Sequence, residues 1–291
     1  MGVVLITGCS SGFGLHAAVA FARAGDTVYA SMRDTGRAGA LRAAVPAAGD
    51  VRVVPLDVTA PSMHAPLIEQ IVRESGRLDV LVNNAGMIRP GAFEDVDDAS
   101  FRAVMETNFF GPFSLIRAVL PQMRRQSGGT IITISSLSGI AGLPTDVAYT
   151  ASKFAVEGAT EALRHEVDRW NIRVALVEAG LYATGIFAPS VESRSTLPRG
   201  YPADSPYRAL VEHKWRELQA RLPQALDPAR VGELLVGIAR SDGSQLRWPA
   251  DDVARRVLTT MFAQDDAARD RFLRGVSGTD WWSAGGAPPG G

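Results

Sequence analysis

Tyr149 and Lys153 stand four residues apart in the stretch Tyr149-Thr150-Ala151-Ser152-Lys153. On a helix that spacing puts both side chains on one face. Lysine is scarce in this chain: of 30 basic residues only Lys214 is another. A phenol with an ordinary pKa of about 10 is a poor base near neutrality, but a neighbouring ammonium favours its charged form. Such a pair suits proton exchange with a ketone or alcohol oxygen, the step that accompanies hydride transfer. Alone, the pattern equally describes a surface pair on a helix. Ser136 lies thirteen residues upstream, where its hydroxyl either holds a substrate oxygen or closes a turn. Asn108, inside a long helical pattern and followed by Gly111 and Pro112, either anchors a water or bends its helix.

A second group of residues suits a dinucleotide. Thr7 to Gly14 read TGCSSGFG directly after an apolar run. There Gly8 permits a tight turn, Gly12 lets the backbone approach a pyrophosphate, and Gly14 lets the next helix pack close with its positive end toward the phosphates. The next apolar run ends Ala30-Ser31-Met32-Arg33-Asp34. Ser31 and Met32 occupy the position where an acidic residue would accept from ribose hydroxyls, and Arg33 suits a 2′-phosphate. A shift of one residue would instead make Asp34 the ribose acceptor. Asp57 and Val58 are positioned to hold the adenine edge, with a turn cap as the other reading of Asp57. In Asn83-Asn84-Ala85-Gly86, Asn84 and Gly86 can bring an amide and bare backbone against the same ligand.

These residues sit on a repeating frame. Apolar runs at 3–7, 27–31, 51–56, 79–83, 130–135 and 172–178 alternate with helical patterns such as 14–24, 64–75, 101–126 and 147–169. Continuous apolar strands imply a sheet covered on both faces, so the expected fold is α/β, a doubly wound parallel sheet of Rossmann type. One domain is expected over 1–284. An excursion at about 181–228, with a helical segment near 205–221, should lie on the ligand side, and 285–291 should form a disordered tail. The opening apolar residues Leu181, Tyr182, Ile186 and Phe187, with Trp215, predict an apolar lid.

Composition narrows the partners. With net charge −1 over 291 residues and 46% hydrophobic content, there is no basic surface to attract nucleic acid. No run reaches the length of a membrane span. The lone Cys9 and the absence of a signal-peptide pattern point to a cytoplasmic protein acting on small molecules. No metal site is assigned.

Taken together, Thr7-Gly8, Gly12, Gly14, Asp57, NNAG, Asn108, Ser136, Tyr149 and Lys153 resemble the short-chain dehydrogenase/reductases, in family order from residue 3 to about 184. The wording of the glycine turn and of Ser31 to Asp34 is most similar to the hydroxysteroid and retinol dehydrogenase-like subgroup. The resemblance implies a catalytic tetrad. Tyr149 would be the acid/base and Ser136 would orient the carbonyl. Lys153 would bind the nicotinamide ribose and lower the tyrosine pKa, and Asn108 would hold a relay water. It also implies NADP(H) as cofactor, with Ser11 and Arg33 on the 2′-phosphate and Thr184 on the carboxamide, and a homodimer or homotetramer built on the helices that carry Asn108 and Tyr149. One position departs from the family: Ala179-Gly180 replaces the usual Pro-Gly, which frees the backbone beside the nicotinamide. The expected activity interconverts a secondary alcohol and a ketone on a bulky lipophilic substrate. The alternative is a redox-silent relative that catalyses cyclisation, elimination or epimerisation, or a dinucleotide sensor.

Overall fold

Seven parallel strands form one sheet in the order β3-β2-β1-β4-β5-β6-β7. They are β1 (Val3–Ile6), β2 (Thr27–Met32), β3 (Val51–Pro55), β4 (Val80–Asn83), β5 (Gly129–Ile134), β6 (Ile172–Glu178) and β7 (Arg247–Pro249). The computed structural model describes residues 1–190, 197–202, 204–263, 265–278, 281 and 286–287. The expected tail at 285–291 therefore lies outside the described residues except for 286 and 287, as do 191–196 and 203 of the lid excursion.

Alternation along each strand divides the core. Val4, Ile6, Val28, Val82 and Ile132 face one side. There they meet α1 (Gly12–Arg23), α2 (Gly39–Ala44) and α8 (Ala229–Ala239). Leu5, Tyr29, Leu81, Ile131 and Val174 face the other, covered by α3 (His64–Ser75), α5 (Gly111–Arg125) and α6 (Val147–Val167). Each large aliphatic side chain buried this way contributes roughly 1.5–3 kcal/mol, so both faces of the sheet must be covered. That requirement is why these strands read as unbroken apolar runs.

The chain reverses direction across the sheet between β1 and β4, which pair in register from Val4 opposite Val80. Ligands of open α/β sheets bind at the carboxyl ends of the strands beside such a switch, and both the glycine turn and Asn84-Ala85-Gly86 are there.

Two elements differ from expectation. The single helix expected over 101–126 is α4 (Asp98–Met105) and α5 joined through a π-turn at Glu106–Phe110. The extra residue in that turn rotates Asn108 into the interior. β7 gives no periodic signal because it is three residues long, Arg247-Trp248-Pro249, and exists through its register with Leu176, Val177 and Glu178 of β6. The lid carries α7 (Arg208–Arg221), and α9 (Asp252–Ala263) and α10 (Asp266–Ser277) complete the described chain. Among the described residues no helix is long and apolar enough to cross a membrane.

Candidate active site

A cavity of about 710 Å³ opens at the carboxyl ends of the strands. At one end it is lined by Gly8, Ser11, Gly12, Arg33, Asp57 and Val58; at the other by Ser136, Tyr149, Lys153 and Gly180, with Asn84, Gly86 and Thr184 between. Two predicted residues, Gly14 and Asn108, are behind the wall rather than on it.

Gly14 is where the turn is tightest. A Cβ there would lie 2.4 Å from the Gly8 carbonyl oxygen and 2.5 Å from Asn84 Nδ2, so only glycine lets α1 start against the turn. Gly8 has φ of +75°, a left-handed conformation that disfavours side chains. Asn84 serves this turn too, since its Nδ2 donates to Thr7 O at 2.7 Å and Gly8 O at 3.2 Å. Thr7, whose Oγ1 accepts from the amides of Asn84 and Ala85 at 2.9 Å each, ties the glycine turn to the segment that follows β4. The first turn of α1 has no acidic side chain and Ser11 makes no capping bond. The positive helix end is therefore left to an anion in the cavity. We expect Gly14→Ala to destabilise the protein by about 1–3 kcal/mol through overpacking and to weaken dinucleotide binding, as read by thermal unfolding and cofactor titration.

Arg33 and Asp34 both line the charged end. β2 stops at Met32, and the Asp34 carboxylate accepts from Gly36 N at 2.9 Å, capping a short turn over Thr35–Ala38. That turn brings a second guanidinium, Arg37, to the cavity beside Arg33. Reading Asp34 as an N-cap would have found it. Asp57 lines the cavity and also caps a turn, accepting from Thr59 N and Oγ1 at 2.9 and 2.7 Å. Burial pushes the Asp57 pKa up, but the Thr59 bonds and the Arg33 charge outweigh it and hold the carboxyl below its ordinary range.

At the other end Tyr149 and Lys153 are both buried on α6. Lys153 Nζ donates to the Ile134 carbonyl at 2.8 Å and sits 5.5 Å from the Tyr149 ring centre. Burial pushes the lysine down to about 8, with Glu157 opposing that shift. The expected lowering of the phenol pKa is not what this environment produces. Burial raises it, a hydrogen bond from Ser136 lowers it by less, and the Asp146 charge raises it further. At neutral pH Tyr149 is therefore a neutral acid. Ser136 Oγ accepts from Ser138 N at 3.1 Å, which leaves its proton to point elsewhere. Asp146 also lines the cavity, with Oδ1 buried and unpartnered; its place one turn before Tyr149 was a signal available in the sequence.

Asn108 works from beneath. Its Oδ1 accepts from Met87 N at 2.8 Å, and its Nδ2 donates to Met87 O at 2.9 Å and Ser152 Oγ at 3.0 Å. Both amide donors are thus committed to the loop that follows β4 and to α6. The substitution at Ala179 has a local counterweight: Gly180 N donates to Asp251 Oδ2 at 3.0 Å, and Ala250 N donates to Glu178 O at 2.9 Å. β7 and its exit thus hold the segment that a proline would have stiffened. Thr184 closes over the glycine turn, since a Cβ at Gly12 would lie 3.2 Å from Thr184 Cβ.

The model of the short chain dehydrogenase family matches residues 2–195. The chain belongs to this family. Among its relatives is a 3-ketodihydrosphingosine reductase of Bacteroides thetaiotaomicron, 44% identical over 63% of this chain and 65% of that protein, a little under two thirds of its length. Retinol dehydrogenase 8 of Bos taurus is 39% identical over 81% of this chain and 78% of that one. A short-chain dehydrogenase from Streptomyces avermitilis has the same fold, with TM-score 0.77, 32% identity and coverage of 98% and 97%. Short-chain dehydrogenases are oxidoreductases that bind a nicotinamide dinucleotide and act on small molecules. The glycine turn, the unblocked start of α1 and the Arg33–Arg37 end fit the phosphates of such a group.

Proposed function

We propose that this dehydrogenase uses NADP(H) to interconvert a secondary alcohol and a ketone on a bulky lipophilic substrate. The observation that carries the reading is a single cavity with Tyr149, Ser136 and Lys153 at one end and two arginines at the other. When bound, the dinucleotide supplies or accepts the hydride. Tyr149 holds its proton at neutral pH and gives it to a carbonyl oxygen in reduction, taking it back from the alcohol in oxidation. The Ser136 hydroxyl orients that oxygen. Lys153 holds a positive charge beside the phenol and the nicotinamide ribose, which favours the phenolate as it forms. Asn108 is a positioning residue in this scheme: it fixes the Met87 backbone, while Ser152 Oγ donates onward to Tyr149 O at 2.7 Å. Ser11, Arg33 and Arg37 take the 2′-phosphate, Asp57 and Val58 the adenine edge, and Gly180 and Thr184 the carboxamide side.

The substrate class rests on the lid. Leu181, Tyr182, Ile186, Phe187 and Trp215 all line the cavity. Tyr182 also anchors the lid: its hydroxyl donates to Ala250 O at 3.0 Å and its ring meets Phe13 edge-on at 5.1 Å. The lid is tied on its far side as well, where Ser205 Oγ donates to Asp95 at 2.7 Å and Tyr207 to Glu94 at 2.8 Å. The relatives named above act on 3-ketodihydrosphingosine and retinol by name, both largely hydrocarbon. Each buried methylene contributes about 0.8 kcal/mol, so two more in a ketone should raise kcat/KM about tenfold. Following NADPH absorbance across long-chain and polycyclic ketones tests this. A preference for small charged substrates would overturn the lipophilic pocket, and no turnover with any ketone would favour a redox-silent role.

The same reading takes 1–284 as one domain, in the cytoplasm. It also makes the protein a homodimer or homotetramer. Phe110 and Phe154 are 51% and 42% exposed on the helices named for the interface, while Phe113 and Leu163 pack beneath them against the core. Light scattering at micromolar concentration should give two or four chains per particle; one chain would reject assembly.

A further inference from the structure

Behind the Tyr149 and Lys153 end, on the sheet face that α6 covers, the interior is polar where a core is normally apolar. The β5 register sets Thr133 beside Asn83 of β4, and Ser135 follows on the same face, level with Glu178 at the end of β6. Both amide atoms of Asn83, the hydroxyls of Thr133 and Ser135, and both carboxylate oxygens of Glu178 are buried without a partner. From α6, Glu157 Oε1 and Thr160 Oγ1 add to them. Unpaired polar atoms at this density are unusual in a folded protein and call for a role. A Cβ at Gly139 would lie 2.7 Å from Ser135 Oγ, 3.0 Å from Glu157 Cγ and 3.1 Å from the Lys153 backbone carbonyl, so the Ser135 hydroxyl and the Glu157 side chain meet beside the backbone of α6 at Lys153.

We infer that Glu157 and Glu178 are an acid pair that sets the charge of Lys153, positioning residues acting through Ser135 and Arg247. The inference rests on the proposed function only for its effect on turnover. Glu178 is 0% and Glu157 4% exposed, and two carboxylates this deep are not both charged at neutral pH unless each is paired. Only one is. Arg247 of β7 donates to Glu157 Oε2 at 2.9 Å and to the exposed Glu161 at 2.8 Å. Ser135 faces Glu157 closely enough to favour its charge without closing a bond of good geometry. Burial, with the Glu157 charge added, pushes Glu178 up to about 8. Burial raises Glu157 as well, opposed by Ser135, Arg247 and Lys153; its ion pair with Arg247 makes it, rather than Glu178, the carboxylate that carries the pair's charge, one helical turn from Lys153. The ionisable groups around Lys153 are Asp146, Tyr149 and Glu157 from α6 and its start, Glu178 from β6, and Arg247 from β7. Of these Glu157 is the anion that opposes the burial penalty on the ammonium. Ser135 follows Ile134, whose carbonyl accepts a hydrogen bond from Lys153 Nζ, and so links the two sites.

The chain has two lysines, Lys153 and Lys214, so full-length protein labelled with 13C at lysine Cε gives two resonances, assigned by Lys214→Arg. In wild type Lys153 should titrate near 8. Glu157→Gln should lower that midpoint by about one unit, a tenfold fall in the ammonium fraction above it, and the alkaline limb of kcat should move with it. Glu178→Gln is isosteric with the neutral acid. It should leave the Lys153 signal at neutral pH unchanged and lower the midpoint by less, since it removes only an anion that forms near pH 8. An unmoved midpoint in Glu157→Gln overturns the inference. Should that variant fail to fold, an effect of Glu178→Gln at neutral pH overturns it equally. The readout needs no turnover, so an inactive protein would count against the oxidoreductase reading and not against the acid pair.

Discussion

Tyr149→Phe is expected to lower kcat about 10²–10⁴-fold, the usual contribution of general acid–base assistance, while dinucleotide affinity stays close to wild type. The substitution removes one hydroxyl and keeps the ring that packs with Val104, Ala148, Met87, Ile88 and Ile186. Folding and the cavity wall should therefore survive, and the loss can be assigned to the proton. Because burial keeps the phenol protonated through neutrality, the effect should be as large at pH 7 as at pH 6 in the direction of ketone reduction. Steady-state rates with a competent ketone, set beside calorimetric cofactor titration, separate the two quantities. Wild-type kcat in the variant would remove Tyr149 from the chemistry. A parallel collapse of cofactor affinity would point to packing instead.

Arg33→Ala should erase most of a preference for NADPH over NADH that we expect to be at least about tenfold in wild type. A hydrogen bond to a charged group contributes roughly 1.5–3 kcal/mol, or about ten- to a hundredfold in affinity. Exposure of Arg33 favours the lower end of that range and makes the preference shrink with salt. Asp34 also lines the cavity, with Oδ1 accepting from Gly36 N, so Asp34→Ala should strengthen the preference for NADPH if its charge faces the phosphate. Arg37 should contribute as well. Its alanine variant should lose a smaller part of the preference and the double variant the remainder, with coupling between the two if both bind one phosphate. Titrating both cofactors against the three variants decides the point: equal wild-type affinities, or a preference that survives the double variant, would move the assignment to NAD or to other residues.

Much of this was legible in the residues themselves. A parallel sheet buried on both faces demands continuous apolar strands, so six of the seven strands announced themselves within a residue or two. Tyr149 and Lys153 met on one face because i and i+4 always do on a helix. Tertiary structure decided what local pattern cannot carry. That Asp34 caps a turn follows from where β2 loses its neighbour β3, after Met32. β7 exists only because β6 offers it an edge, and with it come Arg247 and Asp251, which reach Glu157 and Gly180 from about 70 to 90 residues away in the chain. The π-turn at Asn108 answers to the Met87 backbone across the cavity wall rather than to helix propensity. The pKa of Tyr149 was read from Lys153 alone, whereas in the fold burial, Ser136 and Asp146 act on the phenol, burial most of all. Local spacing determines which groups lie side by side, but desolvation depends on everything that packs around them, and only the folded chain determines that.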